Sequence, residues 1–276
     1  MPSVAIKGAD IHYGVSGAGE PMLLIPGLGL DRNYYRLGTP DLAKHFTVYG
    51  VDPRGIGESS KTAPPYTVES WAEDFVELIK SLNVGPMHVL GSSLGGAMAL
   101  ALAERAPQLV KTLTVVGGFS ELDRAAEMNF ALRMRLIEKL GFSQEVADYM
   151  GLWTMSREFI NSDAGYQQML ANQTIIKKNS PELYLSFVTS VLAWGRSLPE
   201  QKGEAKFTAR LPNIKSRTLV IGSANDTLIP LALSEIIARG IPGAKLVVMP
   251  DGGHIPFIEK PAEVVKIVLD FIKAGK

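Results

Sequence analysis

Short apolar runs alternate with amphipathic stretches over much of the chain. SVAIKG and DIHYGVSG read as two edge strands joined by a turn near Gly8. MLLIPG (22–27) and FTVYGVD (46–52) are continuous apolar runs of the kind that form buried strands. SWAEDFVELIKSLNV (70–84) carries apolar residues at 71, 75, 78, 79 and 82, the spacing of one helix face. MHVLG (87–91) predicts a strand and LGGAMALALAERA (94–106) a helix. KTLTVVG (111–117), RTLVIG (217–222) and AKLVVMP (244–250) predict three more strands, and AEVVKIVLDFIKA (262–274) a closing helix. Strand and helix in alternation predict an α/β chain, its mostly parallel central sheet covered by helices on both faces.

One stretch breaks this rhythm. From 119 to 210 no comparable strand occurs, and segments such as MNFALRMRLIEKLGF and PELYLSFVTSVLAWG read as helices with many large apolar side chains. The expected organisation is a core of 1–118 and 211–276 with a helical cap insertion at 119–210. The insertion follows the C-terminal end of a strand, where sites of α/β sheets gather.

The sharpest chemical feature is Gly91-Ser92-Ser93-Leu94-Gly95-Gly96, a G-x-S-x-G sequence between a predicted strand and a predicted helix. A serine on so tight a turn is held in a strained backbone conformation, with its hydroxyl exposed at the positive end of a helix. Side chains two positions to either side would collide, which calls for Gly91 and Gly95. Ser93 is the candidate nucleophile; the plainer role is an N-cap serine.

A serine hydroxyl needs a base. Of four histidines, His12 and His88 fall in predicted strands and His45 follows a helix. His254 lies in Asp251-Gly252-Gly253-His254-Ile255-Pro256, a loop directly after a strand, and is the candidate base. The orienting carboxylate is Asp226, shortly after the strand RTLVIG, with Glu121 and Asp123 as rivals. Pro230 suits the first turn of the helix that follows. In the loop Ile25-Pro26-Gly27-Leu28-Gly29-Leu30, the N–H of Leu28 pairs with that of Leu94 as a candidate oxyanion hole.

These motifs resemble the α/β-hydrolase fold family. The order Ser93, Asp226, His254 is the family's order. Asp52-Pro53-Arg54-Gly55-Ile56-Gly57-Glu58-Ser59 is similar to its D-x-R-G-x-G-x-S segment, a structural turn beside the site. Many members carry His-Gly where this chain has Pro26-Gly27. The serine also sets the chain apart from dehalogenases and epoxide hydrolases of the fold, which use an aspartate nucleophile. The resemblance implies the serine carboxylesterase and enol-lactonase branch. The alternatives it leaves open are a carbon–carbon bond hydrolase or a small-molecule receptor with a vestigial site, and a cofactor-free perhydrolase side activity is a further one.

The insertion supplies Phe130, Trp153, Phe159, Phe187 and Trp194, with Phe119 at its entrance, and five methionines from Met128 to Met169. An apolar roof of this kind favours a small to medium hydrophobic ester or lactone. The expected pocket residues are Phe119, Phe130, Trp153, Trp194, Ile229 and Ile255. Arg133, Arg135 and Lys139, interleaved with glutamate, read as a solvated helix face.

Composition narrows the partners. Lys+Arg and Asp+Glu are 28 each, so net charge is 0, which argues against a nucleic-acid partner. The chain has no cysteine, hence no disulfide framework and no thiolate metal site. HExxH, GxGxxG and GxxxxGK are absent, so no metal or other cofactor is expected. The longest apolar stretch, about ten residues, is half of a membrane span of roughly 20. The N-terminus lacks the basic and apolar regions of a secretory signal, and a cytoplasmic monomer or homodimer is expected.

Overall fold

A computed structural model describes residues 2–195 and 206–275. The first hairpin, β1 (Ser3–Ile6) and β2 (Ala9–Ser16), turns through Lys7 and Gly8, with φ of 45° and 76°. Two positive φ values in a two-residue loop match the twist of the flanking strands. β3 (Glu20–Ile25), β4 (Phe46–Val51), β5 (Met87–Ser92), β6 (Val110–Val116), β7 (Arg217–Ser223) and β8 (Lys245–Met249) complete the sheet. Its order is β1-β2-β4-β3-β5-β6-β7-β8. All pairs from β4 to β8 are parallel, while β2 is antiparallel to β1 and β4. Only the first of the two expected edge strands is an edge, because β2 pairs on both sides.

The continuous apolar runs arise because both faces of the sheet are covered. Leu23, Ile25, Val89, Leu113, Val115 and Val220 enter one core. Their neighbours Met22, Leu24, Leu90, Val116, Leu219 and Ile221 enter the other. The helices in chain order are α1 (Thr39–Leu42), α2 (Val68–Leu82), α3 (Leu94–Arg105), α4 (Arg124–Leu140), α5 (Gln144–Thr154), α6 (Arg157–Ile160), α7 (Asp163–Ile176), α8 (Pro181–Gly195), α9 (Leu231–Gly240), α10 (Pro256–Glu259) and α11 (Pro261–Lys273). Residues of α2, α3 and α9 pack in the first core, and those of α1, α10 and α11 in the second. α2 starts two residues before its expected position, because Thr67 and Ser70 form a reciprocal capping box. Pro230 is the residue before α9 rather than within its first turn.

Helices α4 to α8 lie between β6 and β7, inside the stretch that lacks strand patterning. Side chains of Asp123, Ser143, Ser156 and Ser162 accept from backbone N–H groups and start α4 to α7. The segment before α4 touches the end of α8: Leu122 N–H donates to the Gly195 carbonyl at 2.8 Å. Of the expected 119–210 segment, residues 196–205 lie outside the described residues. Among the described residues, no helix is long and apolar enough to cross a membrane.

Candidate active site

Ser93 is the hinge between β5 and α3, with φ 55° and ψ −122°. A non-glycine residue in this region is strained, and the surroundings fix it. A Cβ on Gly91 would overlap the Gly95 carbonyl, and a Cβ on Gly95 would overlap the carbonyls of Ile25 and Pro26. The turn closes only because both positions lack a side chain. The Ser93 N–H donates to the Val116 carbonyl at 2.9 Å, which ties the turn to β6.

Three loops at the C-terminal ends of strands meet here. His254 Nε2 lies 2.8 Å from Ser93 Oγ. His254 Nδ1 lies 2.7 Å from Asp226 Oδ2. Asp226 Oδ1 accepts the N–H groups of Leu228 at 3.0 Å and Ile229 at 2.8 Å. Both carboxylate oxygens are therefore occupied and the ring-facing one is fixed. All three side chains are buried. The His254 N–H donates to the Thr154 carbonyl of α5 at 2.9 Å, so the insertion helps hold the histidine loop.

The other histidines lie elsewhere. His88 is buried between Thr112 at 2.8 Å and Glu20 at 3.3 Å; His12 is half-buried in β2 and His45 is exposed. The rival acids are also engaged. Glu121 accepts the Thr208 hydroxyl at 2.7 Å, and Asp123 caps α4 through the Ala126 N–H at 2.8 Å.

Leu28 lines a pocket with Ser93 and His254. Leu94 is the first residue of α3, whose N–H has no carbonyl within the helix to reach. Among the described residues, neither the Leu28 nor the Leu94 N–H has a hydrogen-bond acceptor. The loop bearing Leu28 has no histidine at Pro26. It is held instead by the Tyr35 hydroxyl on the Ile25 carbonyl (2.8 Å) and the Asn179 amide on the Gly29 carbonyl (2.8 Å). Tyr34 shares a hydrogen bond of 3.0 Å with Ser92, and its burial pushes its hydroxyl well above the ordinary tyrosine range. None of these side chains stands out in the sequence; their signal is burial, which only the fold reveals.

The segment after β4 is a rigid turn. Asp52 accepts the N–H groups of Arg32 and Glu58, both at 2.9 Å, and Ser59 Oγ donates to the Asp52 carbonyl at 2.6 Å. Burial raises the Asp52 carboxyl above its ordinary range despite these donors and the Arg32 guanidinium. Arg54 pairs with Asp74 through two hydrogen bonds of 2.6 and 2.7 Å.

The pocket over Ser93 differs from the expected one. Phe130 and Ile255 line it. Phe119 and Trp194 do not: the Trp194 N–H donates to the Phe119 carbonyl at 3.2 Å and its ring stacks on Phe207 at 4.3 Å, sealing the neck of the insertion. Trp153 is turned away against Tyr149, their rings 6.4 Å apart. Ile229 is buried beside Asp226, and its neighbour Leu228 faces the pocket. Arg133 is a larger correction. It is 2% exposed and lines the pocket, while Arg135 and Lys139 remain on the solvated face.

Comparison with known proteins matches this architecture. The family model of the alpha/beta hydrolase fold matches residues 20–261. RutD of Azorhizobium caulinodans, a candidate carbamate hydrolase, is 27% identical over 255 residues, covering 92% of this chain and 91% of its own. BpoC of Mycobacterium tuberculosis, a candidate non-heme bromoperoxidase, is 28% identical over 275 residues, covering 97% and 99%. The enol-lactonase from Burkholderia xenovorans LB400 shares the fold, with a TM-score of 0.87 at 24% identity over 99% of this chain and 100% of its own. With the family model matched over residues 20–261 and the strand order that surrounds the turn at Ser93, the chain belongs to the α/β-hydrolase fold family.

Proposed function

We propose that this chain is a serine hydrolase of small to medium carboxylic esters or lactones, with α4 to α8 acting as a cap over the site. The observation that carries the reading is the hydrogen-bonded series Ser93 Oγ, His254 Nε2, His254 Nδ1, Asp226 Oδ2, at 2.8 and 2.7 Å, opening on a pocket lined in part by apolar side chains. Ser93 Oγ attacks the carbonyl carbon and its proton passes to His254 Nε2. Asp226 holds the imidazole tautomer and stabilises the cation. The N–H groups of Leu28 and Leu94 face the negative oxygen that forms, and one such donor is worth about 10²–10³ in rate. The bond to the alkoxide breaks as His254 protonates it. Water then gives a proton to His254, attacks the acyl-serine and releases the acid, and Ser93 recovers its proton.

Leu28, Leu30, Phe130, Met150 and Ile176 around Ser93 suit an apolar acyl or alcohol group. RutD, named for carbamates, would act on a related carbonyl. The test is acid release by wild type and Ser93→Ala across short and long esters, aryl esters and lactones. Turnover that vanishes in the variant supports the reading. No turnover on any of them would favour the carbon–carbon hydrolase or receptor alternative.

A further inference from the structure

Arg133 is a buried cation with no counter-ion among the described residues. It is 2% exposed, and among the described residues it forms no ion pair. Its nearest acceptors are neutral: the Tyr184 hydroxyl at 3.3 Å and Asn129 Oδ1 at 3.2 Å, both long bonds for a guanidinium. Among the described residues, its Nε has no hydrogen-bond partner. The Phe130 ring lies beneath it at 5.1 Å. Arginine cannot shed its proton, so burial leaves a charge to be compensated. The carboxylate in the site, Asp226, is already fully engaged by His254, Leu228 and Ile229. Arg133 also shares one pocket with Ser93 and His254, lined by apolar Leu28, Leu30, Met150 and Ile176 together with polar Thr154 and Asn172.

We propose that Arg133 binds a carboxylate carried by the substrate, so that the preferred substrate is an acidic ester or lactone: an apolar spacer with a hydrolysable carbonyl at one end and a carboxylate at the other. This rests on the serine hydrolase reading. The carboxylate supplies the missing charge in the planar, two-point geometry that a guanidinium favours, and it orients the carbonyl toward Ser93. A neutral ester of the same length leaves the buried cation uncompensated.

The test compares monomethyl esters of succinic, glutaric and adipic acids with the methyl esters of butanoic, pentanoic and hexanoic acids. Wild type is expected to favour at least one half-ester by tenfold or more in kcat/KM. Arg133→Gln should lower that ratio by about 10–100-fold, mostly through KM, and Arg133→Lys should restore part of it. Calorimetry on wild type decides the point even where the variants fail to fold: dicarboxylates should bind at least tenfold more tightly than monocarboxylates of equal length. Equal use of neutral and acidic esters, or equal binding of the two acids, would overturn the proposal. Neutral-ester turnover abolished in Ser93→Ala would leave the hydrolase reading intact in that case. Absence of turnover on both classes would instead remove that reading, while the calorimetry still judges Arg133.

Discussion

Glu259 clasps Ser156. Its Oε2 accepts the Ser156 hydroxyl at 2.6 Å and its Oε1 accepts the Ser156 N–H at 3.2 Å. The same Oε2 accepts the N–H of Gly253, the residue before His254, at 3.2 Å. One carboxylate therefore joins the start of α6 to the histidine loop. A Cβ on Gly253 would come within 2.5 Å of both Glu259 Oε1 and the Ser156 nitrogen, so only glycine permits the clasp.

This clasp predicts a pH signature. Burial raises the Glu259 carboxyl above its ordinary 4.5, with a smaller push from Asp226, against the donors from Ser156 and Gly253. The folded chain then binds more protons than the unfolded one between 4.5 and the raised value. The stability this contributes is full below 4.5 and is lost as pH rises through the raised value. Urea titrations of wild type and Glu259→Gln should show the wild-type advantage shrinking as pH rises above 4.5. A constant or growing advantage would contradict it.

Asp226→Asn should lower kcat by about 10⁴-fold, by analogy with the aspartate of a known triad, because it favours the wrong imidazole tautomer. Glu121→Gln should stay within a few-fold of wild type, since Glu121 is tied to Thr208 and Lys206. Steady-state kinetics of the two variants decides between these carboxylates. A larger loss in Glu121→Gln would reverse the assignment.

Gly95→Ala should fail to accumulate as folded protein, or lose about 3 kcal/mol or more, because its methyl meets backbone carbonyls that cannot move aside. Gly8→Ala is the control for a methyl group itself: among the described residues, nothing lies within 4 Å of a Cβ added there. Its cost is that of the positive φ of 76° alone. Chemical denaturation of both variants measures the difference.

Tyr35→Phe should cost about 1–3 kcal/mol, the usual cost of leaving a buried carbonyl unpartnered. The hydroxyl holds the Ile25 carbonyl at the root of the Leu28 loop, so kcat should fall with KM little changed. A variant as stable and as fast as wild type would show that the loop does not need this bond.

The sheet and the three-loop site were legible in the sequence because local chemistry dictates them. Apolar runs buried on both faces must be strands, and a serine flanked by Gly91 and Gly95 must turn sharply. Asp226 and His254 follow strands, so the topology alone brings them to one edge. The charge of Arg133 suggests a solvated face, while its position on α4 buries it. Ala126, Phe130, Arg133 and Ile137 are the buried stripe of α4, at helical spacing, and that spacing was the available signal. The aromatic character of Phe119 and Trp194 suggests a pocket, but Trp194 donates to the Phe119 carbonyl and stacks on Phe207 away from Ser93. Glu259, Tyr34 and Tyr35 act through contacts with residues distant in sequence, which no local pattern encodes.

The most direct measurement of the central claim is covalent labelling by an alkyl fluorophosphonate, read by intact mass and peptide mapping. The account predicts one phosphonyl group on Ser93 with loss of fluoride, and strongly slowed labelling in His254→Ala. Labelling at another residue, or none under conditions that label a serine esterase control, would contradict it.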